Sequence, residues 1–447
     1  MTRDENLDVK SDRSVVAVTD EKRLMSKIWW RIVPLLFLSY LSAYLDRVNV
    51  AFAALHMNKE LGFTSTQYGL GASIFFIAYF LFEVPSNLLL QKVGARHWIS
   101  RIMLTWGIVS AMMALTTSPS SFYLFRFLLG AAEAGFLPGV ILYLGWWFPQ
   151  RYRVRAVSAF FLAMPVSSVV GGPISGLILG LDGYFGLAGW QLLFILESLP
   201  ALVLGVVVFT TLPRSPETAG FLNEAEKRWL LLELASESGQ EHGRDKRAFA
   251  AVLTPTVWLL AAASFGVNFA QYAFGMWLPL VVKDFGVSDS AVGWLSALPY
   301  TLGAAGMLLA SCVAQERKRQ IPLLYVGCAI ASVSLFAVRW AHTASATLIV
   351  LCVWAVGIFV FLGTFWGTAP GVLSASTRTV GIALINSIGG LSGYCGPYAL
   401  GYLKDATGNF NVSLALMGFG PVLATVALFC LTMRLSRANW APRAVLD

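Results

Sequence analysis

The chain has 447 residues, 57% of them hydrophobic and only 13% charged, with a net charge of +8. Soluble proteins carry about 25% charged residues, so this composition excludes a soluble globular protein and points to a chain that crosses a bilayer repeatedly. The positive balance would suit a nucleic-acid partner, but the basic residues sort by membrane side, which excludes that reading.

The tail, residues 1–27, is charged and has no apolar signal core, so it reads as a cytosolic tail and not a cleaved leader. Hydropathy predicts twelve spans, at 28–53, 67–91, 97–117, 120–147, 154–181 and 190–212, then 255–281, 290–314, 320–340, 345–372, 379–403 and 411–434. With both termini inside, the outer loops hold only Lys59, Lys283, Arg339 and Lys404 of the basic residues, while Arg47 and Arg126 fall within spans. This asymmetry predicts a multi-pass protein of the cell inner membrane with both ends cytoplasmic. The organisation that follows is an N-terminal six-helix bundle (28–212), a cytosolic linker (213–254), a C-terminal six-helix bundle (255–434) and a cytosolic tail (435–447). The halves echo each other: Arg155 precedes Pro173 in span five much as Arg378 precedes Pro397 in span eleven. Repeated halves with Gly/Pro-interrupted helices are a transporter pattern, with the binding site between the repeats.

Span one, LSYLSAYLDRVNVAF, carries adjacent Asp46 and Arg47, which point about 100° apart on a helix. Arg47 shares its face with Tyr40 and Tyr44. Asp46 shares another with Ser39, Ser42 and Ala43, a strip suited to close helix packing. Glu83, in FEVPSN of span two, reads as part of a gate or packing network, and Glu197 of span six reads as structural. Span four holds Arg126 and Glu133 on one face, roughly 10 Å apart along the axis, among the small residues Gly130, Ala131, Ala132, Ala134 and Gly135. Charges at that depth cost about 2.5–3.5 kcal/mol each on insertion scales, so the face must look into protein or a water-filled cavity. A structural Arg–Glu pair is the simpler account, and a substrate or proton pathway the favoured one. Two converging arginines suit a carboxylate, which a guanidinium fork binds bidentately. Glu133 is pulled between desolvation, which favours the acid, and Arg126, which favours the carboxylate; such a competition can couple a proton to an anion.

The linker segment NEAEKRWLLLELASE places Asn223 and Glu226 in capping-box spacing. Its Trp229, Leu230 and Leu234 could rest on the cytosolic membrane face, but an ordinary solvated linker helix is the favoured reading. In the second half the polar and aromatic candidates are Asn268, Gln271 and Tyr272 of span seven, Thr364 and Trp366 of span ten, and Asn386 and Ser387 of span eleven. They suit substrate hydroxyls or rings, or hydrogen bonds between helices. His56, His97, His242 and His342 lie at span ends or in loops, which leaves proton work to carboxylates and gives no support for a metal site. The five cysteines, all in the second half and without Cys-x-x-Cys spacing, read as packing residues.

Two stretches, AYLDRVNVAFAALHMNKELGFTSTQYGLGASIFFIAYFLFEVPSNLLLQKVGAR and RFLLGAAEAGFLPGVILYLGWWFPQRYR, resemble the major facilitator superfamily, and within it the anion:cation symporter branch. That branch includes bacterial tartrate, phthalate and 4-hydroxyphenylacetate permeases. The resemblance implies an all-α membrane protein, twelve transmembrane helices in two pseudo-symmetric six-helix bundles that rock about a central site. It implies substrate-anion arginines at Arg47 and Arg126, with Tyr44 and Tyr79 beside them and proton-coupling carboxylates at Asp46 and Glu133. Trp366 and Asn386 resemble second-half substrate contacts, and Gln271 and Tyr272 join them from the residue reading. The superfamily's Gly-x-x-x-Asp-Arg-x-Gly-Arg-Arg loop survives only as NLLLQKVGAR, and Met164 is apolar where hexonate-carrying relatives have an amide.

The expected function is proton-coupled import of a small organic carboxylate by a monomer in the lipid bilayer, with the proton as coupling ion and no other cofactor. Efflux on the same fold is the alternative. It is disfavoured because Gly172-Pro173-Ile-Ser-Gly176 keeps only part of the glycine pattern expected of efflux antiporters. An enzyme would need a nucleophile–base set or metal cluster at membrane depth, and a channel a ring of filter residues; the sequence displays neither.

Overall fold

The computed structural model describes residues 21–238, 254–314, 316–373 and 378–440. The tail calls for 1–20 and 441–447, and the linker's 239–253, lie outside the described residues.

Among the described residues every regular element is a helix. In the first half these are α1 (Glu21–Glu60), α2 (Ser65–Val93), α3 (Ala95–Met112), α4 (Pro119–Glu133), α5 (Phe136–Trp147), α6 (Gln150–Phe161), α7 (Ala163–Leu179) and α8 (Gly189–Thr211). The linker contributes α9 (Glu224–Ser238). The second half holds α10 (Pro255–Lys283), α11 (Asp289–Val313), α12 (Arg317–Ala337), α13 (Ala344–Val372), α14 (Arg378–Thr407), α15 (Phe410–Met417) and α16 (Phe419–Trp440). Taking helices across short breaks together, eleven candidate spans are long and apolar enough to cross a membrane. The twelfth expected span lies in α14, a 30-residue helix rich in Gly, Ser and Tyr.

Local sequence explains several boundaries. Thr64 and Gln67 satisfy each other's backbone N–H groups to start α2, and Asn223 and Glu226 do the same for α9. Residues 21–27, expected in the tail, are instead the first turns of the 40-residue α1. Tyr152 Oη donates to Glu21 at 2.6 Å and Lys27 pairs with Glu226 at 3.0 Å, which anchors those turns to neighbouring helices. Span four is not one helix. It breaks between α4 and α5, where Gly135 takes φ +86, a conformation that favours glycine.

Within the first bundle α1 packs on α7 and α8, α2 on α4, and α3 on α8. Within the second, α10 packs on α14 and α16, and α13 on α11 and α12. The bundles meet along α2–α14 and α7–α11. The second seam depends on missing side chains: a Cβ on Gly172 would stand 2.6 Å from the Gly293 carbonyl oxygen. Outward-facing Leu81, Val84, Val203 and Leu309 are more than half exposed, as a lipid-facing belt requires.

The polar contacts between bundles cluster at the end of the molecule where α1 finishes, here called the far end. His56 Nε2 lies 2.9 Å from Asp289 Oδ2, and Lys283 bonds Asp289 Oδ1 at 2.7 Å. Asp405 of α14 accepts from the Ser65 and Thr66 backbone N–H groups at 3.1 and 2.7 Å, and from Thr66 Oγ1 at 2.6 Å. Tyr68 Oη donates to the Met276 carbonyl at 2.8 Å. At the opposite, near end, Arg151 bridges Glu21 and Glu233 at 2.7 and 3.5 Å. The linker helix is therefore strapped to the first bundle. Leu230 is fully buried in the protein core and Trp229 and Leu234 pack against that core, so this strip meets protein and neither solvent nor the membrane face.

Candidate anion and proton site

Arg47 and Glu133 meet across α1 and the broken end of α4. The Arg47 guanidinium holds Glu133 Oε1 through Nη2 at 2.5 Å and Nε at 2.8 Å. Its Cζ also lies 5.2 Å from the Tyr44 ring, 5.2 Å from Tyr79 and 5.5 Å from Phe75. The side chain of Arg47 keeps 15% of its surface exposed, while that of Glu133 keeps 2%. A cation wrapped by three rings and one carboxylate can exchange that carboxylate for an incoming one without losing its aromatic seat.

Glu133 is the last residue of α4, immediately before the Ala134–Gly135 break. The break turns the chain inside the bundle and leaves the carboxylate at a helix end, reachable from α1. Irregular backbone at membrane depth survives only where protein or a cavity satisfies it.

Arg126, two turns back on α4, does not reach Glu133. It is 1% exposed, and Nε and Nη2 donate to the Gly71 and Ala72 carbonyls at 3.4 and 3.0 Å. Its Cζ sits 4.9 Å from the Phe75 ring, so Phe75 is flanked by both arginines. The direct partner of Glu133 is therefore Arg47, while Arg126, bonded to the carbonyls of adjacent α2, acts on Glu133 through its field alone, beside the burial that opposes it.

Asp46 lies one layer behind, 1% exposed and fully bonded. It accepts from Trp106 Nε1 at 2.8 Å, Ser110 Oγ at 2.6 Å and Asn49 Nδ2 at 3.2 Å. Reading span three for charges alone overlooks Trp106 and Ser110. Their i, i+4 spacing, which puts both polar groups on one helical face, was the available signal. Phe75 was overlooked too, because an aromatic in an aromatic-rich span looks like packing.

From the second half, Tyr272 comes closest to this layer: its ring lies 4.7 Å from Phe76, the neighbour of Phe75. Gln271 is half-buried beside it. Trp366 is 37% exposed on α13 and Asn386 is exposed on α14. Among the described residues, no hydrogen bond, ion pair or ring contact joins Trp366 or Asn386 to either arginine. Asn268 Nδ2 donates to Ser264 on its own helix at 3.0 Å. Glu83 is half-buried within electrostatic range of Arg47. Among the described residues no group of His, Cys, Asp and Glu has metal-binding spacing.

Long apolar helices that enclose Asp46, Arg126 and Glu133 away from lipid suit a membrane transporter. Residues 36–397 match the family model of the Major Facilitator Superfamily. The chain belongs to that superfamily. It is 44% identical over 87% of its length to the "Putative tartrate transporter" of Agrobacterium vitis, covering 90% of that protein. It is 39% identical over 93% of its length to the "Quinolone resistance transporter" of Acinetobacter baumannii, covering 96% of that protein. In fold it superposes with a TM-score of 0.79 on the inward-facing, unoccupied structure of a bacterial homolog of the human lysosomal transporter Spinster. That match covers 94% of this chain and 100% of the other, at 17% identity. The chain is therefore a transporter and not an enzyme.

Proposed function

We propose that the protein is a proton-coupled symporter of the bacterial inner membrane that imports a small organic carboxylate. The observation that carries this reading is the Arg47–Glu133 contact: a partly exposed guanidinium already holding one carboxylate among Tyr44, Tyr79 and Phe75. In this mechanism a proton on Glu133 frees Arg47, and a substrate carboxylate takes the vacated fork. Loss of the proton restores the Arg47–Glu133 pair and expels the anion, so one event cannot proceed without the other. Asp46, adjacent in sequence to Arg47 and one layer behind it, shares the proton work. Arg126 supports the site's positive field from behind Phe75. Tyr272, Gln271, Trp366 and Asn386 complete the site from the second bundle as the two halves rock together. The protein acts as a monomer with both termini cytoplasmic and the proton as its coupling ion. The resemblance to a protein named as a tartrate transporter supports a carboxylate cargo.

The test is uptake into proteoliposomes of labelled tartrate, phthalate, 4-hydroxyphenylacetate, a hexonate and glucose, with and without an inward proton gradient. Gradient-stimulated uptake of one carboxylate is expected. The quinolone-resistance relative favours a second reading, efflux. Export of a quinolone with no uptake of any anion would move the assignment there.

A further inference from the structure

A third carboxyl lies in the interior of the first bundle. Glu197, on α8, is 3% exposed. Ser175 Oγ of α7 donates to its Oε1 at 2.7 Å, and its Oε2 is buried without a hydrogen-bond partner. A carboxylate anion with one bare oxygen in a sealed, low-dielectric site is costly, whereas the neutral acid is not, so the arrangement suits a proton holder. A carboxyl kept only as a structural acceptor would have both oxygens satisfied.

Glu197 does not stand alone. Asn49, on α1 and 1% exposed, donates to Asp46 Oδ1 and lies beside the Glu197 carboxyl as well. The charged group facing Glu197 among the described residues is Asp46; its other polar neighbours, Ser175 and Asn49, are neutral. Two buried carboxyls within electrostatic range of each other inside protein cannot both ionise cheaply, so a proton leaving one favours a proton on the other. Along α1, Arg47 pairs with Glu133, while Asp46 and Asn49 bond to each other and neighbour the Glu197 carboxyl of α8.

We propose that Glu197 is a proton-carrying residue of the transport cycle, paired with Asp46 across Asn49. This rests on the symport reading above. Asn49 fixes the two carboxyls relative to each other; it does not itself carry the proton, which Glu197 Oε2 holds and exchanges with the Asp46 carboxylate. Each transfer leaves one acid and one carboxylate in the pair, so charge is conserved within it.

The test compares two rates in the same proteoliposomes: uptake driven by an inward proton gradient, and exchange of labelled for unlabelled substrate at equal pH on both sides. In Glu197→Gln the ratio of driven uptake to exchange is expected to fall by about tenfold or more, with exchange retained. Glu197→Asp, which keeps the carboxyl, is expected to recover much of the ratio. An unchanged ratio in Glu197→Gln, or an equal fall in both rates with no rescue by Asp, would overturn the proposal. If wild-type uptake ignores the gradient, the symport reading fails and takes this proposal with it. If the wild type responds and the variant matches it, only the role of Glu197 fails.

Discussion

Glu133 closes the Arg47 guanidinium: its Oε1 lies 2.5 Å from Nη2 and 2.8 Å from Nε, on a carboxylate that the α4–α5 break brings across to α1. Glu133→Gln keeps the shape but removes the charge. Exchange of substrate is expected to persist while gradient-driven accumulation disappears. Arg47→Lys is expected to weaken substrate binding by about tenfold or more, since an ammonium cannot reproduce the planar fork. Competition binding of the transported anion measures the second effect, and pH-driven uptake the first. Wild-type behaviour in either variant would refute the corresponding role.

Arg126 holds the carbonyls of Gly71 and Ala72 on α2 while buried behind Phe75. Arg126→Ala therefore removes two buried hydrogen bonds to main-chain carbonyls and leaves a cavity where the side chain packed, a loss of about 2 kcal/mol or more. The melting temperature in detergent should fall by several degrees, together with loss of transport. Arg47→Ala removes a more exposed group and should lower the melting temperature less. The opposite order would contradict the structural role of Arg126.

Gly135 adopts φ +86, and an added Cβ would collide with Ser86 Oγ, which accepts the Trp98 indole N–H at 3.0 Å. Gly135→Ala is expected to cost about 1–2 kcal/mol for the left-handed backbone alone, and more from the collision. Thermal unfolding and uptake should both suffer. A fully active, fully stable variant would show that the α4–α5 break does not need glycine.

Asp405 caps the start of α2 from the second bundle through Ser65 and Thr66. Asp405→Ala leaves two helix N-terminal N–H groups without an acceptor and loosens the far-end seam. Hydrogen–deuterium exchange at residues 62–70 and 397–405 is expected to rise in the variant, with little change at the near end. Unchanged exchange there would mean the seam is held by its apolar contacts and by the His56–Asp289 and Tyr68–Met276 contacts without Asp405.

How much of the site was visible beforehand differs residue by residue. Tyr44 and Arg47 fall on one helical face by three-residue spacing, and their ring–cation contact at 5.2 Å follows from that local rule. Arg126 and Glu133 also share a face by spacing, yet they bond to different helices. Helical periodicity tells which way a side chain leaves its own axis; it does not tell which neighbouring helix stands there.

Membrane insertion, the helical class and the presence of buried charges were determined by the sequence itself. Long apolar segments, their flanking basic residues and the cost of charges in lipid leave little choice. The break at Gly135, the bonding of Asp46 to Trp106 and Ser110, and the bare oxygen of Glu197 were decided only by tertiary packing. Each depends on contacts between residues far apart in the chain, and those are set by which helices the fold lays side by side.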